Sequence, residues 1–395
     1  MKTFLQPLQN LAEMEEIQKQ AKKNRGILEI SGCMESQKAH LMYGLSGLFP
    51  CHLVIAADEK SAKELYEDYR FYDKRVYYYP AKDLLFFQAD IHGNLLIRQR
   101  MQVIRALLER EDEITVVTSI DGCMDYLAPL EKIEKQLIHF RNDSTLDMDK
   151  LTAALVHMGY ERVGQVEMPG QFSIRGGIID IYSLTEENPW RIELWGDEID
   201  SIRSFDAQSQ RSLENLDDVT IYPAAEQPME KNGVSFLDYF KETETLFFLD
   251  ELNHLEENAK AVQEEFQQSC ENRKEKGEIS LSGDWMCTWE ELCHKINDRN
   301  CVAMSLLDPK KSNWKISGQF NITVKSMSSY QSSFELLVKD LKQYKKEGYQ
   351  IVLLSGSRTR AERLAKDLQE EGLNAFYGQD SDRILQPGEI MVAYG

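Results

Sequence analysis

The chain lacks a paired-cysteine motif, a long apolar run, an excess of basic charge and a complete phosphate-binding loop, and each shortage weighs against a class of function. Its seven cysteines form no C-x-x-C, and the nearest two, Cys287 and Cys293, are six apart. An odd, scattered set excludes a disulfide framework, gives no zinc-ligand spacing, and fits reduced thiols in a cytoplasmic protein. Nothing approaches the roughly 18 consecutive apolar residues of a membrane span. The opening MKTFLQPLQNLAEMEEIQKQ turns polar too early for a secretory signal. Basic residues number 46 against 66 acidic, a net charge of −20. Such a surface repels the phosphate backbone on which duplex affinity depends, so the chain as a whole does not read as a DNA-binding module; a local basic groove stays open. What remains is ordinary for a folded protein, with 42% apolar residues, 28% charged residues and 10 prolines. A length of 395 residues leaves room for about two to four domains.

The incomplete loop is ISGCMESQKAHL, residues 30–41, which follows the apolar run Ile27-Leu28-Glu29-Ile30 and precedes a helical pattern. Strand, glycine, lysine, helix is the layout of the G-x-x-x-x-G-K-[ST] phosphate loop. Gly32 and Lys38 stand at the required separation, but Gln37 replaces the second glycine and Ala39 the magnesium-binding hydroxyl. In a working loop, glycines let backbone N–H groups point at the phosphates, with the helix dipole behind them. Here Met34, Glu35, Ser36 and Gln37 fill that space. Glu35 brings a negative charge into or beside the cradle; at an effective dielectric of about 20, two like charges about 4 Å apart repel by roughly 4 kcal/mol. The loop is expected to be dead. An acidic pair at a strand end would complete such a site, and Phe247-Phe248-Leu249-Asp250-Glu251 supplies one. Taken alone, Asp250 or Glu251 reads as a cap of the following helix; beside Gly32 and Lys38, the pair reads as a second relic of one ancestral nucleotide site.

Residues 27–31, 52–57, 76–79 and 114–118 are short β-rich runs separated by helical patterns such as SAKELYEDYRFYD and LLIRQRMQVIRALLER. That alternation predicts a parallel sheet with helices on its faces. From about residue 139 the texture changes. One helix, Asp149 to Tyr160, is followed by QFSIRGGIIDIYSL, PWRIELWGDEIDSIRSFD and VTIYPA, strands joined by short Gly-, Pro- and Asp-bearing turns. They predict a small antiparallel α+β domain. Helices return after Pro223, with a buried-type strand in TLFFLDEL, a long acidic helix after it, and a polar stretch at 270–285 expected to be loop. A last α/β unit starts near residue 331 and ends on EIMVAYG, a strand end that reads as a segment of a longer protein.

Alternation singles out one surface. In RIELWGD, Ile192 and Leu194 point one way and Arg191, Glu193 and Trp195 the other; in FSIRGG, Phe172 and Ile174 alternate with Ser173 and Arg175. With the Ile/Leu side as core, Arg175, Arg191 and Trp195 stand outside. Trp and Arg are the residue types most enriched at protein–protein hot spots. The plain alternative has Trp195 covering the core's rim and the arginines solvated or paired with Glu193.

The stretch Pro169 to Ser212, PGQFSIRGGIIDIYSLTEENPWRIELWGDEIDSIRSFDAQSQRS, closely resembles the signature of the UvrB-homology module. That module occurs in the excision-repair helicase UvrB and in the bacterial transcription-repair coupling factors (Mfd). The order of dead loop, inserted domain and LFFLDE extends the resemblance over residues 1 to about 330. UvrB resembles a helicase with an intact phosphate loop and a long DNA-gripping hairpin. Here the loop is incomplete, and after Tyr78-Tyr79-Pro80 only AKDLLFFQADIHGNLLIRQR precedes the next helix, which leaves no room for that hairpin. Both departures fit the N-terminal region of the coupling factors. The resemblance implies a degenerate helicase-like (RecA-like) α/β domain in residues 1–138, an inserted UvrA-binding α+β domain in 139–223, completion of the first domain in 224–330, and a partial α/β domain in 331–395. It also implies a non-catalytic module that recruits UvrA through Arg175, Arg191 and Trp195, the last in place of a more usual Phe. RNA polymerase, double-stranded DNA, and an ATP- and magnesium-dependent motor would belong to regions beyond residue 395. No cofactor, no membrane contact and a monomeric state are expected for the residues present. Two rivals stay open: a diverged helicase half that still binds ATP at Lys38, and direct DNA binding.

Overall fold

The computed structural model describes residues 2–23, 25–82, 94–226, 233–276, 286–307, 314–327, 330, 333–378 and 382–394. The hairpin expectation falls partly on residues 83–93, outside the described set.

A seven-stranded, wholly parallel sheet forms the main body, in the order Ile316–Asn321, Gly26–Ser31, Asn300–Ser305, Thr245–Asp250, Cys51–Ala56, Ile114–Ser119, Val76–Tyr79. All six residues of Gly26–Ser31, Ile114–Ser119 and Thr245–Asp250 are buried. Burial on both faces is what helices on both sides of a parallel sheet produce, and it explains the near-continuous apolar runs. Alternate residues feed two cores. Leu53, Ile55, Val116, Phe247 and Leu249 pack on one side, and Val54, Ala56, Val117, Leu246 and Phe248 on the other.

Two of the seven strands were not visible in the sequence. Asn300–Ser305 is a short apolar run that periodicity cannot tell from helix. Ile316–Asn321, on the sheet's edge, is polar and carries Gly318. The polar stretch expected to be loop from residue 270 is a correction: the helix Leu252–Glu275 runs through its first part. Polarity there marks a solvated helix face, and no helix-breaking residue comes before Gly277.

The inserted unit has a six-stranded sheet ordered Ser212–Leu216, Glu198–Phe205, Trp190–Trp195, Ile178–Ile181, Gln171–Arg175, Glu161–Arg162. Neighbours are antiparallel except the last pair. Leu151 and Leu155 of the helix Met148–His157 pack on one face with Phe172, Ile179, Ile181, Ile192 and Ile202. The chain enters through Ile138–Arg141 and leaves through Asp218–Ile221, which pair antiparallel, so both crossings lie side by side. Beyond residue 333, Ile351–Ser355, Ile390–Tyr394 and Ala375–Tyr377 form a parallel three-stranded sheet packed on the helices Phe334–Lys346 and Arg358–Glu370. All seven cysteines are free thiols, five of them buried. No helix among the described residues is long and apolar enough to cross a membrane.

Candidate partner-docking face and a candidate nucleotide-site relic

The inserted sheet turns its second face outward. Cross-strand register sets Ser173, Asp180, Arg191 and Arg203 in one row, and Arg175, Ile178, Glu193 and Ser201 in the next. Arg175 and Arg191 therefore flank the central strand Ile178–Ile181 and both reach back to Asp180. Arg175 Nη2 donates to Asp180 Oδ2 at 2.6 Å. Arg191 donates through Nε to Oδ1 at 2.7 Å and through Nη2 to Oδ2 at 2.9 Å, and Nη2 also donates to Gln210 Oε1 at 3.1 Å. The Arg191 guanidinium lies 4.4 Å from the centroid of the buried Phe205 ring. The hydrogen bonds to Asp180, together with its charge, push the Arg191 pKa further above its already high value, so this cation stays ionised.

Asp180 was not singled out in the sequence, yet it is completely buried. The plain alternative for the arginines was solvation or pairing with Glu193. The acid they use is Asp180 instead, because Glu193 is taken by Arg203 and by the Ser201 hydroxyl. A signal was present: Asp180 interrupts the apolar run Ile178-Ile179-Asp180-Ile181 at the outward phase, directly across from Arg191.

Trp195 ends its strand and is 83% exposed, the most exposed large apolar side chain among the described residues. It pairs with Glu198 across the two-residue turn Gly196-Asp197, in which Gly196 adopts φ +65°, a conformation that costs glycine little. Leu146 N donates to Asp197 O at 2.7 Å and Ile199 N to Ser144 O at 2.9 Å, so the tip that presents the indole is braced from outside the hairpin. A bulge between Glu193 and Leu194 shifts the register, while Leu194 still packs toward the core.

Of the four residues read from the sequence as a nucleotide-site relic, Lys38, Asp250 and Glu251 converge, and Gly32 lies against Ile322. Lys38 Nζ donates to Asp250 Oδ1 at 2.6 Å and to Glu251 Oε1 at 2.8 Å, with Lys38 and Asp250 both buried. Burial alone would pull the Lys38 pKa down; the two carboxylates more than offset it and the pKa rises. Neither acid makes the helix-capping bond that the plain alternative gave them. Glu251 occupies the position before Leu252 in a left-handed conformation without a capping bond, and its side chain accepts instead from Lys38 and from Leu306 N. Gly32 has φ +80°, and a Cβ there would stand 2.1 Å from the Ile322 carbonyl oxygen. Ile322 N donates to Ser31 O at 2.9 Å, so the chain leaving the edge strand lies against the loop. Glu35, which the sequence placed in or beside the cradle, is exposed in the first turn of the helix Glu35–Ser46.

Comparison with known proteins adds to this geometry. The family profile described as the UvrB interaction domain matches residues 138–226. A transcription-repair-coupling factor of Bacillus subtilis is 28% identical over a match covering 93% of this chain and 37% of that protein. Its counterpart in Staphylococcus haemolyticus is 24% identical, over 81% of this chain and 32% of that protein. One from Staphylococcus aureus is 35% identical over 164 residues, 42% of this chain and 14% of its own. The chain thus spans about a third of the length of the first two of these relatives. Together the matches bear out the resemblance read from Pro169 to Ser212 and carry it over most of the chain.

Proposed function

We propose that this chain is the UvrB-like recruitment module of a transcription-repair coupling factor, and that it docks UvrA on Arg175, Arg191 and Trp195 in transcription-coupled nucleotide excision repair. The observation that carries the reading is an indole 83% exposed on a braced turn, at the end of the strand that carries Arg191, with Arg175 and Arg191 both held by a buried acid, all within the match to the UvrB interaction domain. Trp195 would fill an apolar recess of the partner, and the arginines would meet its carboxylates. Engagement with RNA polymerase and DNA translocation, in this reading, belong to parts of the coupling factor other than these residues. Replacing one anchor, in Arg175→Ala or Arg191→Ala, is expected to cost about 2–4 kcal/mol of binding, roughly 30- to 1000-fold in affinity. Unchanged UvrA affinity in both variants overturns the assignment of the face.

The nucleotide-site relic is, on the same proposal, a structural ion cluster. Lys38 already satisfies two carboxylates where a phosphate would need it, and the Ile322 backbone lies against Gly32. Magnesium-ATP at about 100 times the dissociation constant of a functional site would stabilise that site's domain by about 2.7 kcal/mol. No shift in the thermal midpoint is expected at millimolar nucleotide. A reproducible, dose-dependent rise would instead favour a diverged helicase half that retains ATP. Direct DNA binding is opposed by the charge of −20, and its mark would be binding lost steeply with salt.

A further inference from the structure

We infer that Asp180 is the positioning residue of the docking face: it holds the guanidinium groups of Arg175 and Arg191 at the spacing in which they receive one carboxylate group of the partner. The inference rests on the UvrA-docking reading above and deepens it.

Three features carry it. Asp180 has no exposed surface of its own, so it reaches a partner only through the residues it holds. Both of its oxygens are engaged, Oδ1 by Arg191 Nε and Oδ2 by Nη2 of each arginine. Arg191 is further fixed by Gln210 and by the face of Phe205. Gln210 in turn is anchored through its Nε2, which donates to Val166 O at 3.2 Å and to Ala207 O at 2.8 Å. This leaves Nη1 of Arg191, with Nε and Nη1 of Arg175, as guanidinium nitrogens without a bond among the described residues. Free arginines lose rotamer freedom when a partner fixes them; arginines already fixed lose less, and the saving appears as affinity. A planar guanidinium held by these bonds presents its remaining N–H groups, those of Arg191 Nη1 and of Arg175 Nε and Nη1, in set directions, which suits recognition of a carboxylate.

The sign of one substitution separates this role from simple electrostatics. Asp180→Asn makes the face one unit more positive. Were the face to attract an acidic partner by charge alone, that change would speed association and tighten binding, most of all at low salt. A positioning role predicts the reverse: weaker binding through faster dissociation.

The test is a titration of purified UvrA onto the wild-type chain, Asp180→Asn, the Arg175→Ala/Arg191→Ala pair and the triple variant, with thermal melting of each to verify folding. Asp180→Asn is expected to weaken binding by about tenfold or more at low and moderate salt, and to add nothing once both arginines are absent, because it acts through them. Equal or tighter binding by folded Asp180→Asn, or an undiminished loss in the arginine-free background, overturns the inference. Loss in the arginine pair without loss in Asp180→Asn removes this inference alone; no binding by the wild-type chain removes the docking reading and this inference with it. Should Asp180→Asn not fold, the free wild-type protein decides. Its Arg191 Nε–H resonance is expected to be resolved and slow to exchange with solvent, and a signal averaged with those of solvated arginines overturns the role.

Discussion

Lys38→Met is expected to destabilise the seven-stranded domain by about 3–5 kcal/mol, the usual consequence of removing one partner from a buried ionic group. The substitution roughly preserves volume, so the cost comes from Asp250 and Glu251, left facing each other without a cation. Asp250 reports the strain already: burial pushes its carboxyl pKa up even with the Lys38 ammonium opposing it. Without Lys38 that pKa climbs further. A carboxyl whose folded pKa lies above its unfolded value of about 3.9 holds its proton more tightly when folded, so its penalty grows as pH rises and fades as pH falls. The stability gap between Lys38→Met and the parent should therefore narrow between about pH 8 and about pH 5. Adding Asp250→Asn and Glu251→Gln to Lys38→Met should recover most of the loss, since neutral groups need no counter-charge. Denaturant unfolding read at both pH values checks this. A Lys38→Met protein as stable as the parent near pH 8, or a gap that widens on acidification, contradicts the account of the cluster.

Arg100→Met carries a loss of similar size, also about 3–5 kcal/mol. Arg100 is fully buried, donates to Pro80 O at 2.9 Å and Asp125 Oδ2 at 3.0 Å, and pairs with Glu226. Its guanidinium stacks 4.2 Å from the Tyr79 ring centroid. Burial raises the Asp125 pKa, with Arg100 opposing, so losing the cation strands that carboxylate together with Glu226. Glu226 lies just past the exit strand Asp218–Ile221, so Arg100 ties the return of the inserted unit to the helix Asn94–Glu109. Arg100→Lys should recover only part of the loss, because one ammonium cannot reproduce a planar fork that reaches three acceptors. Hydrogen exchange in Ile138–Arg141 and Asp218–Ile221 should accelerate in both variants. Unaltered exchange there, with unaltered stability, would remove Arg100 from this role.

The sequence made the architecture legible where local pattern and tertiary environment agree. Strands such as Ile114–Ser119 are apolar throughout because helices cover both faces, and the outward placement of Arg175, Arg191 and Trp195 followed from period-two alternation alone. Non-local facts were harder. Asn300–Ser305 is apolar but short, so only its place between Gly26–Ser31 and Thr245–Asp250 identifies it as strand. Asp180 sits in an apolar run, and its partners come from two other strands, 5 and 11 residues away. The Lys38 cluster was half legible. The spacing singled out Gly32 and Lys38, and a strand end singled out Asp250 and Glu251, yet only folding across 212 residues shows that they bond to each other. The backbone of Ile322 against Gly32 left no mark in the sequence, because any residue can present a carbonyl oxygen.

The docking face is tested most directly by calorimetric titration of UvrA onto the wild-type chain and onto an Arg191→Ala/Trp195→Ala double variant. Trp195 makes no demand on the fold, being 83% exposed, and melting curves check that the double variant stays folded. The account predicts saturable binding by the wild type and a loss of at least about a hundredfold in the double variant. Equal affinity in the two proteins, or no binding by the wild type, would contradict it.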